Sequence, residues 1–216
     1  MSDPTARRVR RRARARSGLL KSAKVLIAER GLSELRVGDV AEHADIALGT
    51  FYSYFTSKDE LVAAIVSEAL TALTDALSDL GEQMEPAEAF SIGVRRFIRL
   101  AVTDPDLARL LVGLQGAESL LETVVWERSE RIMVRGVEAG DFHVENLQMS
   151  LSVAVAGVFV TLQRVVNSAE QPSSAEQCAV ALLQLVGFDP ARAPAVARRP
   201  LPDVHPSVGR DDESHD

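Results

Sequence analysis

Cysteine is almost missing from this 216-residue chain: Cys178 stands alone, so no internal disulfide can staple the fold. The four His are scattered and show no metal-ligand spacing, which leaves neither a metal site nor another cofactor to expect. No apolar segment follows the N-terminal charges as a signal peptide would require, and a cytoplasmic protein is the resulting expectation. Aromatic residues make up only 5% of the chain, and Gly and Pro are sparse beside 46% hydrophobic residues. That balance favours an all-α fold packed through Ala, Leu and Val. No segment alternates as a strand does, and no internal repeat is present. Also lacking are a Ser/His/Asp or Cys/His set, a paired-carboxylate site and a phosphate-binding loop. An enzyme is therefore not expected, and an all-α enzyme survives only as a remote alternative.

The net charge of −7 conceals a division within the chain. Up to Lys58 there are twelve Lys/Arg against six Asp/Glu, so everything after it carries a net −13. A basic N-terminal part on an acidic body suits an anionic partner at one end only, although a solvated Arg tail would look the same.

Residues 1–16 hold Arg7, Arg8, Arg10, Arg11, Arg12, Arg14 and Arg16 and read as a disordered basic arm. Leu19, Leu20, Ala23, Leu26 and Ile27 then recur at helical spacing until Gly31. Val37, Val40, Ala41 and Ala44 give a second helix, and its small residues allow another helix to cross closely. Asp45 falls at a turn where a left-handed backbone is expected, a conformation Asp tolerates. A third helix at about 48–54 turns Phe51 and Phe55 inward and leaves Leu48, Thr50, Tyr52 and Tyr54 on other faces. Three short helices around one small core predict a helix-turn-helix domain over 17–60.

Ser57-Lys58-Asp59-Glu60 predicts a capping box that launches a long fourth helix, from Leu61 through Leu80 to Gly81. At 1.5 Å per residue this helix exceeds about 30 Å, enough to join the small domain to a larger one over 61–189. Helices are expected from Pro86, from Asp104-Pro105, over about 117–139, over 147–166 and from Ser174 to Gly187, about nine in all. Ser174-Ala175-Glu176-Gln177 resembles a second capping box. The segment 147–166 is apolar nearly all round, yet Gln148, Ser150, Ser152, Thr161, Gln163 and Arg164 make it a poor membrane span and a better buried helix. From Pro190 the periodicity vanishes, and 190–216 is expected to be a disordered tail.

Residues 19–65 resemble the DNA-binding domain of the tetracycline-repressor (TetR) family. The likeness rests on Gly31-Leu32, Val37-x-x-Val40-Ala41 and the specific string Gly49-Thr50-Phe51-Tyr52-x-Tyr54-Phe55-x-Ser57-Lys58-x-x-Leu61. In the C-terminal part only the helix layout and Gly136…Gly140-Asp141-Phe142 are similar. The resemblance implies a homodimer that binds double-stranded DNA at a palindromic operator. It also implies pairing through the last two long helices (about 147–166 and 174–186) and a pocket for an unknown small-molecule inducer. Thr50, Tyr52 and Tyr54 would contact bases or phosphates, Lys58 a phosphate near a helix N-terminus, and Gly49 would let the backbone approach closely.

Three departures from the family pattern bear on the DNA face. Arg36 stands where Thr or Ser is usual before Val37, Gly38 where relatives carry a polar base reader, and Ala47-Leu48 where Ser-Lys opens the recognition helix. Few side chains remain for bidentate base recognition, so DNA shape and the Arg arm would carry more of the specificity. Leu48 could touch a thymine methyl or simply pack. Phe90, Phe97, Trp126, Met133, Phe159 and Gln163 are candidate pocket residues, with Trp126 singled out beside Glu122 and Arg128. An apolar pocket suits a lipophilic or aromatic ligand. The leading expectation is a ligand-released repressor; the alternative is an architectural DNA-binding protein with a solid core and no inducer.

Overall fold

A computed structural model of the chain describes residues 4–81, 84–114, 116–167 and 173–202. Among the described residues there are ten helices and no strands. In order they are α1 (Pro4–Arg30), α2 (Val37–His43), α3 (Leu48–Phe51), α4 (Lys58–Gly81), α5 (Pro86–Thr103), α6 (Pro105–Gly113), α7 (Ala117–Glu138), α8 (Leu147–Asn167), α9 (Ser174–Leu185) and α10 (Ala193–Ala197). The chain divides into two compact units, Met1–Val66 with Gly113–Gln115, and Ser67–Val112 with Gly116–Asp216. The boundary lies inside α4, later than the expected 60/61. Leu61, Val62, Ile65 and Val66 are all buried and complete the interior of the first unit.

In that unit Leu19, Leu20, Ala23, Leu26 and Ile27 of α1, Val40 and Ala41 of α2, and Phe51 and Phe55 are all buried, with α2 packed on both α1 and α3. Asp45 takes the left-handed backbone at φ 54°, between α2 and α3. The third helix is shorter than the expected 48–54. After Phe51 the chain tightens into i→i+3 bonds, Ser53 N–H to Thr50 O (3.0 Å) and Tyr54 N–H to Phe51 O (2.8 Å).

The basic arm is not disordered, and this corrects the sequence reading: α1 is helical from Pro4. Pro suits a first helical turn, Arg and Ala are among the best helix formers, and Gly18 is tolerated because the helix continues into a packed face. Residues 1–3 lie outside the described residues.

The second unit is built around α5, whose Phe90, Val94, Phe97 and Ile98 are buried. It packs against α7, α8, α9 and α10. Asp104 ends α5 and caps α6, its Oδ1 accepting the Leu107 N–H at 3.1 Å. Gly136 of α7 is required by close approach: a Cβ there would lie 2.0 Å from the Phe142 ring. That ring is held edge-on between Phe90 and Phe188, at 5.9 and 6.3 Å. Helix α8 is long and apolar enough to cross a membrane by length and composition. Its packing against α5, α7 and α9 accounts for one of its apolar faces without a bilayer.

Two further expectations are overturned. The second capping box does not form, because Ser173 holds the N-cap position without a side-chain bond and Ser174 is already helical. The tail is ordered as far as Pro202. Ala193, Val196 and Ala197 bury themselves as the short α10, an apolar triplet hidden among Pro and Arg. Arg199 then pairs with Glu88 (2.5 Å), and its carbonyl accepts from the buried Arg95 guanidinium (2.7 Å). Residues 203–216 lie outside the described residues.

Candidate nucleic-acid interface and ligand cavity

In the first unit, α3 and the turn that follows it separate their side chains into two sets. Phe51 and Phe55 face the interior 5.8 Å apart, while Leu48 and Tyr52 are 49% and 54% exposed, with Gly49 and Thr50 exposed beside them. Arg36 is exposed and extended (φ −115°) before α2 and makes no side-chain cap, as a guanidinium that only donates cannot. Val37 is half-buried, and Gly38 is exposed on α2. A Cβ at Gly38 or Gly49 would meet nothing within 4 Å, so both backbones lie open to close approach.

Tyr54 is placed differently from Tyr52. It is half-buried, with the Arg12 guanidinium 5.9 Å above its ring, and Arg16 lies 5.3 Å over Phe55. Arg8, Arg11 and Arg12 line a cleft together with Thr50, Ser53 and Tyr54. Helical spacing of these arginines, i, i+3 and i+4, carries the signal, and expecting a disordered arm conceals it.

Lys58 is also drawn inward. Its Nζ donates to the carbonyls of Leu32 (2.9 Å) and Leu35 (3.1 Å), tying the α1–α2 loop to the first turn of α4. Two of the three ammonium donors are used this way. Ser57 Oγ accepts the Glu60 N–H at 3.1 Å, half of the expected capping box. The Glu60 carboxylate returns one residue earlier than expected, to Thr56 N–H (2.5 Å) and Oγ1–H (2.7 Å) rather than to Ser57. The side-chain bond from Thr56 and then the backbone bond hold the Glu60 carboxyl below its ordinary range.

The second unit contains a cavity of about 350 Å³ bounded by α4, α5, α7 and α8. Phe90, Phe97, Leu121, Val125, Val155 and Val158 supply much of its apolar wall, with Leu73 and Thr74 contributed by α4. Of the expected pocket residues, Phe90 and Phe97 reach the cavity. Trp126, Met133, Phe159 and Gln163 do not, and the helical period explains each. Leu121, Val125, Arg128, Ser129 and Ile132 make the cavity-facing stripe of α7, from which Trp126 and Met133 are rotated by about a quarter turn. Phe159 and Gln163 stand similarly to one side of Leu151, Ala154, Val155 and Val158 on α8. Met133 and Phe159 are core; Trp126 and Gln163 are half-exposed.

Sequence reasoning names Arg128 only as a neighbour of Trp126 and misses Arg131 and Arg135; all three line this cavity. Arg128 donates through Nη1 to Thr74 Oγ1 (2.5 Å) and pairs through Nη2 with Asp75. Its Nε is buried without a hydrogen-bond partner. Arg131 pairs with Glu127 at 2.9 Å, and Arg135 donates to the Met84 carbonyl at 2.6 Å.

A packed three-helix unit that displays a single-turn helix and a helical basic arm, on a chain with a separate cavity-bearing helical unit, defines a helix-turn-helix DNA-binding protein. The model for bacterial regulatory proteins of the tetR family matches residues 19–65, and that for the tetracyclin repressor-like C-terminal domain matches residues 85–199. The chain belongs to the TetR family of transcriptional regulators. Proteins of this family bind DNA operators, form dimers and bind small-molecule ligands.

The chain is 40% identical over 57 residues to the uncharacterized HTH-type transcriptional regulator YvdT of Bacillus subtilis, covering 26% of this chain and 29% of that protein. It is 26% identical over 105 residues to the fatty acid metabolism regulator protein of the same species, covering 48% and 54%. The matches thus span about half or less of these curated relatives. Among solved structures, RolR in complex with resorcinol matches with a TM-score of 0.82 and 28% identity, over 91% of this chain and 99% of that one. RolR without ligand gives 0.80 and 27%, over 88% and 100%. FadR from Bacillus subtilis with stearoyl-CoA, at 19% identity, TM-score 0.60 and coverage of 79% and 97%, shares the fold.

Proposed function

We propose that this chain is a cytoplasmic transcriptional repressor, released from a palindromic operator by a small aromatic or lipophilic ligand. The observation that carries this reading is the cavity of about 350 Å³, walled by apolar side chains and a few polar groups, in the unit outside the helix-turn-helix. An architectural DNA-binding protein has no need of such a hollow. The resorcinol held by RolR supports a ring-bearing ligand. Leu73 and Thr74 on the cavity wall belong to α4, the helix whose first turns complete the DNA-binding unit. A ligand that prefers one position of α4 would shift the population of DNA-competent dimers, limited by its differential affinity for the two states.

Thr50 and Tyr52 meet bases or phosphates, Leu48 meets a thymine methyl, and Gly38 and Gly49 admit the sugar-phosphate backbone. Arg36 takes a phosphate beside Val37, and Tyr54 contributes from the edge of the arginine cleft. Lys58 offers its remaining donor to a phosphate at the start of α4. Dimerisation uses α8 and α9, where Met149, Val153, Val160 and Leu185 are exposed apolar side chains. Such a dimer would present two recognition helices about 34–36 Å apart, one helical turn of DNA.

The test is selection of bound DNA from a random duplex library, followed by footprinting with and without resorcinol and related phenols. A palindrome with half-sites one turn apart, weakened by ligand, is the expected result. Binding without sequence preference, or a monomer in sedimentation at micromolar concentration, overturns the reading.

A further inference from the structure

Every ionisable side chain on the described wall of the cavity is an arginine: Arg128, Arg131 and Arg135 at i, i+3 and i+7 of α7. Asp75 and Glu127, the carboxylates that pair with Arg128 and Arg131, lie outside the cavity wall. The three guanidinium groups thus stand on a wall that is otherwise almost wholly apolar, with Thr74 and Ser129 as its other polar side chains. Burial disfavours the charged guanidinium of Arg128, an imbalance that a nearby anion offsets and a neutral oxygen offsets less.

We propose that the ligand is an organic acid, with an apolar ring body against Phe90, Phe97 and Val158. Its carboxylate lies against the guanidinium groups of Arg128, Arg131 and Arg135 that line the wall. The inference rests on the cavity being the regulatory ligand site, and it departs from a neutral diphenol such as the resorcinol bound by RolR. Arg128 is the discriminating group because it also bonds Thr74 and Asp75 of α4. A carboxylate captured by Arg128 therefore acts on the helix that leads into the DNA-binding unit.

The experiment uses the full chain and three probes, 2-naphthoate, the neutral isostere 2-naphthamide, and resorcinol, with calorimetric titration and displacement from the selected operator as readouts. Naphthoate should bind about tenfold or more tighter than naphthamide, the worth of one charge-assisted hydrogen bond. R128Q should remove that preference while its helical circular dichroism and operator binding persist. D75N, which breaks the ion pair but keeps the guanidinium, should bind naphthoate as tightly as the unaltered chain or more so. Equal weakening in R128Q and D75N would mean that Arg128 acts only through its ion pair, and the proposal fails. Binding of naphthamide or resorcinol at least as tight as naphthoate also overturns it, while leaving the cavity as a ligand site. If no probe binds or releases DNA, the organic-acid assignment fails and the ligand-release reading loses its support with it.

Discussion

The two units carry their chemistry in opposite places. In the first, the informative side chains are turned outward from a packed interior: Phe51 and Phe55 are buried while Leu48, Thr50 and Tyr52 stand in solvent. In the second they are turned inward, three arginines and two phenylalanines facing a hollow that four helices share. An outward face needs only one short helix and a core beneath it, so a run of about fifteen residues encodes it. An inward face exists only after helices distant in sequence converge, and no local string encodes that.

The largest expected effects break each unit at its own centre. Phe51→Ala removes a fully buried ring from the first unit and should cost about 3–5 kcal/mol. Operator binding should disappear with it. Chemical denaturation checks the size, and a variant as stable as the parent would mean that Phe51 is not the core of that unit. In the second unit Gly136→Ala places a methyl where Phe142 lies, and that ring cannot retreat because Phe90 and Phe188 flank it. Overpacking of this kind costs about 1–3 kcal/mol. A G136A variant with unchanged stability would show that α7 and the following turn can move apart freely.

This asymmetry sets what is legible in the sequence alone. Helix starts and stops are legible because they depend on near neighbours: Gly31, Gly140 and Gly187 take positive φ, as does Asp45, and Asp104 caps α6. The inward set of the first unit is legible because Phe51 and Phe55 are four residues apart, and the tight turn after α3 keeps both rings on the inner side. The helical arm is not, because a run of Arg resembles a solvated tail, whereas Arg and Ala are good helix formers once α1 is anchored by its buried half. Segment 190–202 escapes for another reason: three small apolar residues do not make a period, yet they are buried where α10 packs on α5 and α9. Trp126 stands out in the sequence as the lone Trp, and the arginines do not, although Val125, Arg128 and Ile132 share a face at helical spacing. Only the meeting of α5, α7 and α8 shows that this face is a wall rather than a surface.

Smaller effects sharpen the contrast within the first unit. Tyr52→Ala removes a half-exposed ring that meets Phe51 edge-on at 5.4 Å, and should cost about 0.5–1.5 kcal/mol, well below Phe51→Ala. Operator affinity should fall by about 1.5–3 kcal/mol if the hydroxyl meets a phosphate. Electrophoretic mobility shift separates the two readouts, and unaltered affinity would remove Tyr52 from the DNA face. For the arm, replacing Arg8, Arg11 and Arg12 together by Ala should lower the slope of log affinity against log salt by about 0.9 for each phosphate that these side chains neutralise. The ratio of operator to non-specific affinity should hold if the cleft grips backbone, and should fall if the arginines read a groove.

The smallest expected effect lies at the junction of α3 and α4, where Glu60 accepts from both donors of Thr56. The folded protein binds a proton on Glu60 less readily than the unfolded chain does, because the carboxyl is held below its ordinary range. Its contribution to stability is therefore fully present at neutral pH and above the unfolded value, and is lost as pH falls through the lower folded one. Glu60→Gln keeps the shape but not the charge, so the difference between the two proteins should be flat near pH 7 and shrink on acidification. The carboxylate is fully exposed, which makes the difference small, and matched denaturation curves across pH are needed to see it. A difference that grew as pH fell would contradict the bonds to Thr56 and reopen how α4 begins.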